Sequence, residues 1–366
     1  MKWNWQHAKW PSFQYERDQI VELEKTFLLN VGESFGVHHH LGEEDRDHLV
    51  VSLLGSEAVE TSDIEGETLD RDSVQSSIQR HLGLQNDGRK VQPSEQGIAE
   101  LMVDVFRGAN DTLDQERLFR WHEMIVRGRF DLDIVGGYRE HQSAMRVVSG
   151  PIHEPVIHFE APPSKQVGAE MERFIDWFEG SRQWGALERA AIAHLWFESI
   201  HPFEDGNGRV GRALAELSLS QSTGRPLLTA LSQVISKSRK KYYQELERAN
   251  QTLEVTSWVR YFSETIIEAQ SHSIELIRFI LSKDELLRRL SGELNQRQEK
   301  ALLRMYVEGL DGFKGGMSSS NYCSITGAST ATATRDLSDL VEKGALVRTG
   351  RQKGVRYWLV EPSVKD

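Results

Sequence analysis

The stretch "HPFEDGNGRVGRALAEL", residues 201–217, decides how this chain is read. A Gly-Asn-Gly turn stands between an acidic residue and an arginine, and apolar residues at helical spacing follow it. Three known site types fail against it. Asp205, Asn207 and Glu216 mimic a calcium loop, but Arg209 would place a cation in the cation site and Val210 replaces the glycine such a loop needs. A P-loop fails because no Gly-Lys-Ser/Thr follows the glycines. A dinucleotide fingerprint fails because the preceding "AIAHLWFESI" has a helical pattern, not that of the first strand of a Rossmann unit.

What survives is a phosphate site of another construction. Gly206, Asn207 and Gly208 let the backbone approach a ligand closely, at the positive end of a helix expected to start near Arg209. Arg209 and Arg212 are three residues apart, so both guanidinium groups can reach one polyphosphate. Asp205 is placed to hold a hard divalent cation, and magnesium is usually held by one or two carboxylates plus phosphate oxygens. His201 can accept a proton near neutral pH. Phe203 is expected to point into the core.

Composition frames this site. The 366 residues, 39% hydrophobic and 27% charged, describe an ordinary folded protein of two or three domains. A single cysteine, Cys323, excludes an intramolecular disulfide framework and a Cys-based zinc ribbon, and makes the cytoplasm the expected location. No stretch approaches the roughly 18 apolar residues of a membrane span, so no membrane partner is expected. A net charge of −11 argues against the whole molecule coating nucleic acid and leaves a local patch open.

Most of the remaining sequence reads as helix. Trp3, Trp5, Trp10 and Phe13 give the opening segment too many aromatics for a tail, so it is expected to pack against the body. Within "TSDIEGE", residues 61–67, two readings compete. Ser62 and Glu65 fit a capping box at a helix start. Alternatively, the periodic "HLVVSLLGSEAVETSDI" is one helix already running, Thr61 and Glu65 sit one turn apart on one face, and Gly66 ends it. The periodicity favours the second. Residues rich in β-branched and turn types from 136 onward suggest a hairpin across Ser149-Gly150-Pro151.

"HPFEDGNGRVGR" resembles, without a departure, the H-x-F-x-D/E-G-N-G-R-x-x-R signature of the Fic family, whose best-known members transfer AMP from ATP to a protein hydroxyl. The upstream "GGYR" and the hairpin resemble that family's target-docking flap. The resemblance implies that His201 is the general base, that Asp205 holds Mg²⁺, and that Asn207 with the N–H groups of Gly206 and Gly208 stabilises the α-phosphoryl oxygens. It implies that Arg209 and Arg212 bind the β- and γ-phosphates of ATP. Tyr242 and Tyr243 lie where family members carry aromatics near the base, although a Tyr pair on a helix is at least as often core. Thr61, Glu65 and Gly66 match the family's S/T-x-x-x-E-G/N inhibitory helix, which implies that Glu65 pairs with Arg212 and keeps ATP in a non-productive pose.

The expected fold is mainly α: a Fic-type helical bundle core with a β-hairpin flap, plus a C-terminal winged helix-turn-helix domain. The expected division is an N-terminal helical domain over 1–92 with its inhibitory helix at about 43–66, and a catalytic core over 93–272 with the flap at about 144–160 and the signature at 201–212. A helical linker over 273–292 and the winged domain over 293–366 complete it. In the last, Gly327 supplies the turn, Ser329 to Lys343 is the recognition helix, and Arg348, Arg351, Lys353 and Arg356 decorate the wing. From residue 291 onward eleven Lys and Arg face nine Asp and Glu, a net +2 against −13 elsewhere. That patch suits DNA, and dimerisation or protein docking equally.

The expected activity is Mg-dependent adenylyl transfer from ATP to a Ser, Thr or Tyr hydroxyl, on a protein held at the flap or on the chain itself. Two alternatives stay open: a DNA-binding regulator whose core senses nucleotide, and removal of AMP from a protein with Glu65 orienting the attacking water.

Overall fold

In the computed structural model, which describes residues 2–39, 41–85, 88–150, 155–227, 229–307, 313 and 315–360, helix follows helix wherever apolar residues recur at three- and four-residue spacing. The helices are α1 (Val21–His39), α2 (Glu43–Ile64), α3 (Arg71–Leu82), α4 (Pro93–Arg107), α5 (Gln115–Ile125), α6 (Ser164–Gly180), α7 (Ala186–Ile200), α8 (Asn207–Thr223), α9 (Leu231–Lys237), α10 (Arg239–Ala249), α11 (Thr256–Arg289), α12 (Gln296–Val307), α13 (Ser319–Thr326) and α14 (Thr330–Glu342). Strands β1 (Arg146–Ser149) and β2 (Val156–Glu160) pair antiparallel, as do β3 (Leu346–Thr349) and β4 (Arg356–Leu359). The turn expected at Ser149-Gly150-Pro151 falls partly outside the described residues. None of the described helices is long and apolar enough to cross a membrane.

The chain forms two compact units, residues 1–33 with 50–273, and residues 34–49 with 274–366. Helices α1, α2 and α11 contribute residues to both.

In the first unit every residue of α7 is buried, which explains why its sequence lacks an amphipathic stripe. Around α7 and α8 pack α4, α5 and α6, with Trp121, Phe174, Phe197 and Phe203 filling the space between them. The aromatic opening segment packs on this body as its composition implies. Trp3 meets Phe159 edge-on at 5.4 Å, and Trp10 and Phe13 meet Trp196, each at 6.2 Å. Trp5 Nε1 donates to the carbonyl of Glu160 at 2.6 Å, and Asn4 N–H to that of Asn250 at 2.7 Å. The base of the β1–β2 hairpin and the end of α10 are thereby tied down, and both border the site described below.

Helix α2 settles the competition over residues 61–67. It runs from Glu43 to Ile64, so Ser62 lies in its last turn and caps nothing. Gly66, at φ 85°, takes the left-handed conformation that closes helices, and the N–H groups of Glu65 and Glu67 both donate to the carbonyl of Ser62 at 3.0 Å.

The second unit gathers Leu302, Met305, Tyr322, Leu337, Leu340 and Tyr357 into its own core. Gly327, at φ 73°, turns the chain between α13 and α14, and Ser329 caps α14 through a bond from Thr332 N–H at 3.3 Å. Buried Asp336 binds Arg297 Nε and Tyr322 Oη, each at 2.9 Å, which locks α12, α13 and α14 together.

Candidate active site

A cavity of about 720 Å³ opens where the β1–β2 hairpin and α10 face the α7–α8 turn, and His201, Gly206, Gly208, Tyr242 and Glu65 line it. Its floor is the quoted glycine stretch. His201 closes α7 in the left-handed region, φ 51°, which costs a residue with a Cβ and persists only where its surroundings hold it. Arg139, from the "GGYR" segment, does the holding. Its Nε donates to the His201 carbonyl at 2.8 Å, its Nη2 to the carbonyls of Pro162 at 2.6 Å and Ile200 at 3.3 Å, and its own N–H to Pro202 at 2.9 Å. A guanidinium thus satisfies the orphan carbonyls of a helix end, where a cation is also favoured by the dipole. Burial pulls its pKa down to about 10, so it stays charged at neutral pH.

The His201 imidazole is mostly buried. Desolvation, then the charge of Arg139, push its pKa down to about 4, so at neutral pH it is unprotonated and able to accept a proton. Its Nδ1 lies 3.7 Å from Oε2 of Glu198, one turn back on α7. Burial, and then the charge of Glu65, raise the Glu198 carboxyl to about 8, while Arg212 works the other way. Gly211 makes room for that carboxyl: a Cβ there would come 2.5 Å from Oε1 of Glu198.

Between His201 and α8 the loop is braced from within. Phe203 is fully buried and stacks on His122 with ring centroids 4.3 Å apart. The Asn207 side chain accepts from Phe203 N–H and donates to Phe203 carbonyl, both at 2.9 Å. Both ends of its amide are therefore committed to the loop, and what it offers a ligand is its backbone N–H. Gly206, φ 81°, starts α8, and a Cβ on it would lie 2.6 Å from Ile125 Cδ1. The first-turn N–H groups of α8 have no acceptor within their helix, which makes that end an anion site. The helix begins at Asn207, two residues before the position expected from sequence.

Asp205 lies at the cavity edge. Burial pushes its carboxyl up, but Gly206 N–H at 2.6 Å and the Arg129 guanidinium, also at 2.6 Å, outweigh that and hold it below the usual range. Among the described residues no group of three or more His, Cys, Asp or Glu could enclose a metal ion. One carboxylate beside an anion site nevertheless fits a magnesium ion of the kind that would be held by one carboxylate together with phosphate oxygens.

Both arginines of the stretch are already engaged. Arg212, fully buried, donates through Nε to Thr61 Oγ1 at 2.7 Å, and through Nη2 to the Thr61 carbonyl at 2.9 Å and to Glu65 Oε1 at 2.7 Å. Desolvation opposes its charge, and Glu65 overcomes that and raises its pKa. Glu65 also presses on Gly208, since a Cβ there would collide with its Oε1. The glycine that sequence reasoning reserves for a phosphate here makes room for a carboxylate. Arg209 bonds to Glu67 Oε2 at 2.6 Å and to the Ile125 carbonyl at 3.3 Å.

The two tyrosines separate. Tyr242 is buried and its hydroxyl meets His194 Nε2 at 2.7 Å, whereas Tyr243 is 37% exposed and its hydroxyl donates to the Ile64 carbonyl at 3.4 Å. Together with Arg239, whose Nη1 reaches the Asp63 carbonyl at 3.4 Å, Tyr243 grips the C-terminal end of α2. Sequence reasoning missed four partners: Glu198, Glu67, Arg129 and the anchoring role of Arg139. Only Glu67 and Arg139 had a signal, the one inside the "TSDIEGE" stretch and the other inside "GGYR".

Parts of the chain resemble known proteins. Residues 112–219 match the Fic/DOC family, and residues 3–84 match a domain of unknown function, DUF4172. A probable protein adenylyltransferase of Aquifex aeolicus is 32% identical over 93 residues, covering 25% of this chain and 27% of its own. A uridine 5'-monophosphate transferase of Xanthomonas campestris is 31% identical over 122 residues, covering 31% of this chain and 22% of its own. The chain thus spans about a quarter of the length of these relatives. A crystal structure of a Fic family protein from Desulfovibrio desulfuricans shares the fold over 97% of this chain and 99% of its own, with a TM-score of 0.55 at 22% identity. Residues 112–219 are thus similar to the Fic/DOC family, within a mainly helical fold.

Proposed function

We propose that this chain is a protein adenylyltransferase that moves AMP from Mg·ATP to a protein hydroxyl, and that Glu65 holds it off. One observation carries the reading: an unprotonated, mostly buried histidine and an anion-binding helix start line one cavity, and Glu65, a carboxylate of the same chain, lines it too and is bonded to Arg212 behind the helix start.

His201 takes the proton of the target hydroxyl as its oxygen attacks the α-phosphorus, and pyrophosphate leaves on the opposite side. The first-turn N–H groups of α8 stabilise charge on the α-phosphoryl oxygens, and Arg209 and Arg212 hold the β- and γ-phosphates. The work is positioning and charge stabilisation, as in other phosphoryl transfers. Asp205 would hold a magnesium ion carried in with the nucleotide, which would supply neutralisation of phosphate charge. Asn207 keeps the loop in shape through Phe203. Both tyrosines line the cavity, and Tyr243, the more exposed of the two, is the better candidate to meet a base, whereas the Tyr242 hydroxyl is committed to His194. The target protein lies along the β1–β2 hairpin, whose backbone offers strand pairing.

While the Glu65–Arg212 pair stands, the γ-phosphate has no arginine to occupy. The test is incubation of wild type, Glu65→Gly and Glu65→Gly/His201→Ala with labelled ATP and Mg²⁺, and separately with UTP. Self-modification by Glu65→Gly from ATP, lost in the double variant, is the expected result. Equal labelling with and without His201 overturns the catalytic assignment, and labelling from UTP alone moves the reading to uridylyl transfer.

The second unit is read as a winged helix-turn-helix that binds DNA. This rests on its order of three helices and a hairpin, on the left-handed turn at Gly327, and on exposed Arg335, Arg348 and Arg351. Binding of duplex DNA that weakens steeply with salt supports it, and salt-independent or absent binding leaves a protein-docking role.

A further inference from the structure

The two carboxylates that flank Gly66 diverge onto the two arginines of the glycine stretch. Glu65 faces Arg212 and Glu67 faces Arg209, and both N···O distances are short, 2.7 and 2.6 Å. Local backbone chemistry makes the divergence possible. Gly66 takes a conformation that residues with a Cβ rarely adopt, and the Glu67 N–H reaches back to the Ser62 carbonyl at 3.0 Å, so residue 67 is turned back beside the helix end rather than carried away from it. Arg209 and Arg212 stand three residues apart on α8, on neighbouring turns of one face.

The two pairs differ in what backs them. Arg212 has two further bonds to Thr61, whereas Arg209 has one further acceptor, the Ile125 carbonyl at 3.3 Å; each keeps one buried nitrogen without a partner, Nη1 of Arg212 and Nε of Arg209. The Arg209 side chain is 5% exposed and that of Glu67 36%. A nearly buried guanidinium that depends on one half-exposed carboxylate for its charge partner is left under-satisfied when that carboxylate goes, and then takes up any anion that can reach it.

We propose that Glu67 is a second gate on the same site: its carboxylate occupies Arg209 as Glu65 occupies Arg212, so the segment around Gly66 closes both phosphate-binding arginines at once. This rests on the phosphate roles assigned to Arg209 and Arg212 above. Release of Arg212 alone leaves the site half open, because a phosphate must still displace Glu67. The gate acts on phosphates beyond the first, so it sets a preference against triphosphates and leaves a nucleoside monophosphate untouched.

The test is a set of four full-length proteins, wild type, Glu65→Gln, Glu67→Gln and the double variant, titrated calorimetrically with Mg·ATP and with AMP. Glutamine keeps the shape of the side chain, and the half-exposed position of Glu67 lets the chain fold, which a melting curve checks. Expected are ATP affinities about fivefold tighter for Glu67→Gln than for wild type, and tighter again by a similar factor when added to Glu65→Gln, the scale of a partly exposed ion pair. AMP affinity stays the same across the set, and in an Arg209→Ala background the Glu67 effect disappears. Equal ATP affinity with and without Glu67 overturns the second gate, and so does a Glu67 effect that persists without Arg209 or that appears equally with AMP. Binding is read separately from transfer, so loss of this proposal leaves the adenylylation assay intact. Failure of that assay leaves the ATP affinities to judge Glu67.

Discussion

Replacing Glu65 by glutamine removes the charge that partners the buried Arg212. Breaking a fully buried ion pair by deleting one partner costs about 3–5 kcal/mol. Glu65 is 28% exposed, and Arg212 keeps its two bonds to Thr61, so the loss here is nearer ~2 kcal/mol. For a unit of this size that lowers the melting temperature by roughly 4–8 °C. ATP reverses the sign. In the wild type a γ-phosphate must first displace the carboxylate, whereas in the variant it supplies the missing anion, so the same ~2 kcal/mol returns as ATP affinity about 30-fold tighter. With saturating Mg·ATP the variant therefore gains more stability than the wild type. Calorimetric melting with and without nucleotide reads both halves. An unchanged melting temperature without ATP together with an equal ATP response in both proteins would refute the reasoning.

Other outcomes follow from the same geometry. Removal of the Arg139 guanidinium, as Arg139→Ala, strips three carbonyl contacts, two of them at the end of α7, and frees His201 from its strained backbone, so transfer falls at least tenfold while the α-helical circular dichroism persists; unchanged transfer would show that the strain at His201 is idle. Gly211→Ala drives a methyl into the Glu198 carboxyl, and the expected cost is about 1–3 kcal/mol in a denaturant titration, with loss of His201 activity exceeding loss of folded protein. Stability also depends on pH in a defined way. Burial holds His122 and His201 near 4 and His194 near 3, so between about 4 and 6.5 the unfolded chain binds protons that the folded chain refuses, and stability rises with pH. Burial raises Glu57, Glu198 and Glu216, which stay protonated in the folded chain after the unfolded one has lost those protons, so they favour lower pH from about 4.5 upward. The two sets oppose below 6.5, and above it only the carboxyls remain. Melting temperature is expected to hold steady between pH 5 and 6.5 and to fall toward pH 8.5, and a continued rise across that upper range would contradict the assignment.

Much of the site was legible because its chemistry sits in two short stretches. Residues 201–212 combine a proton acceptor, a glycine turn and two arginines, a mixture that points to an anion. In "TSDIEGE" the helical run upstream of Thr61 distinguished a helix end from a helix start, and the placement of α2 follows it. What sequence did not reveal is what long-range packing creates. Asn207 looks like a ligand from its neighbours in the chain, yet both of its amide hydrogen bonds go to Phe203. Arg129 meets Asp205 from 76 residues away, and nothing near either residue announces it. Glu198 reads as one more polar residue on a helix until the burial of all of α7 is known. Tyr242 and Tyr243 are adjacent and alike in sequence, and only the packing against His194 distinguishes the buried one from its more exposed neighbour, although both line the cavity.

The central claim is that AMP, and not a terminal phosphate, leaves ATP for a hydroxyl. Glu65→Gly incubated in parallel with Mg·ATP labelled on the α-phosphate and on the γ-phosphate tests it directly. The account predicts covalent label from the α position and none from the γ position. Label from the γ position, or none from either, would contradict it.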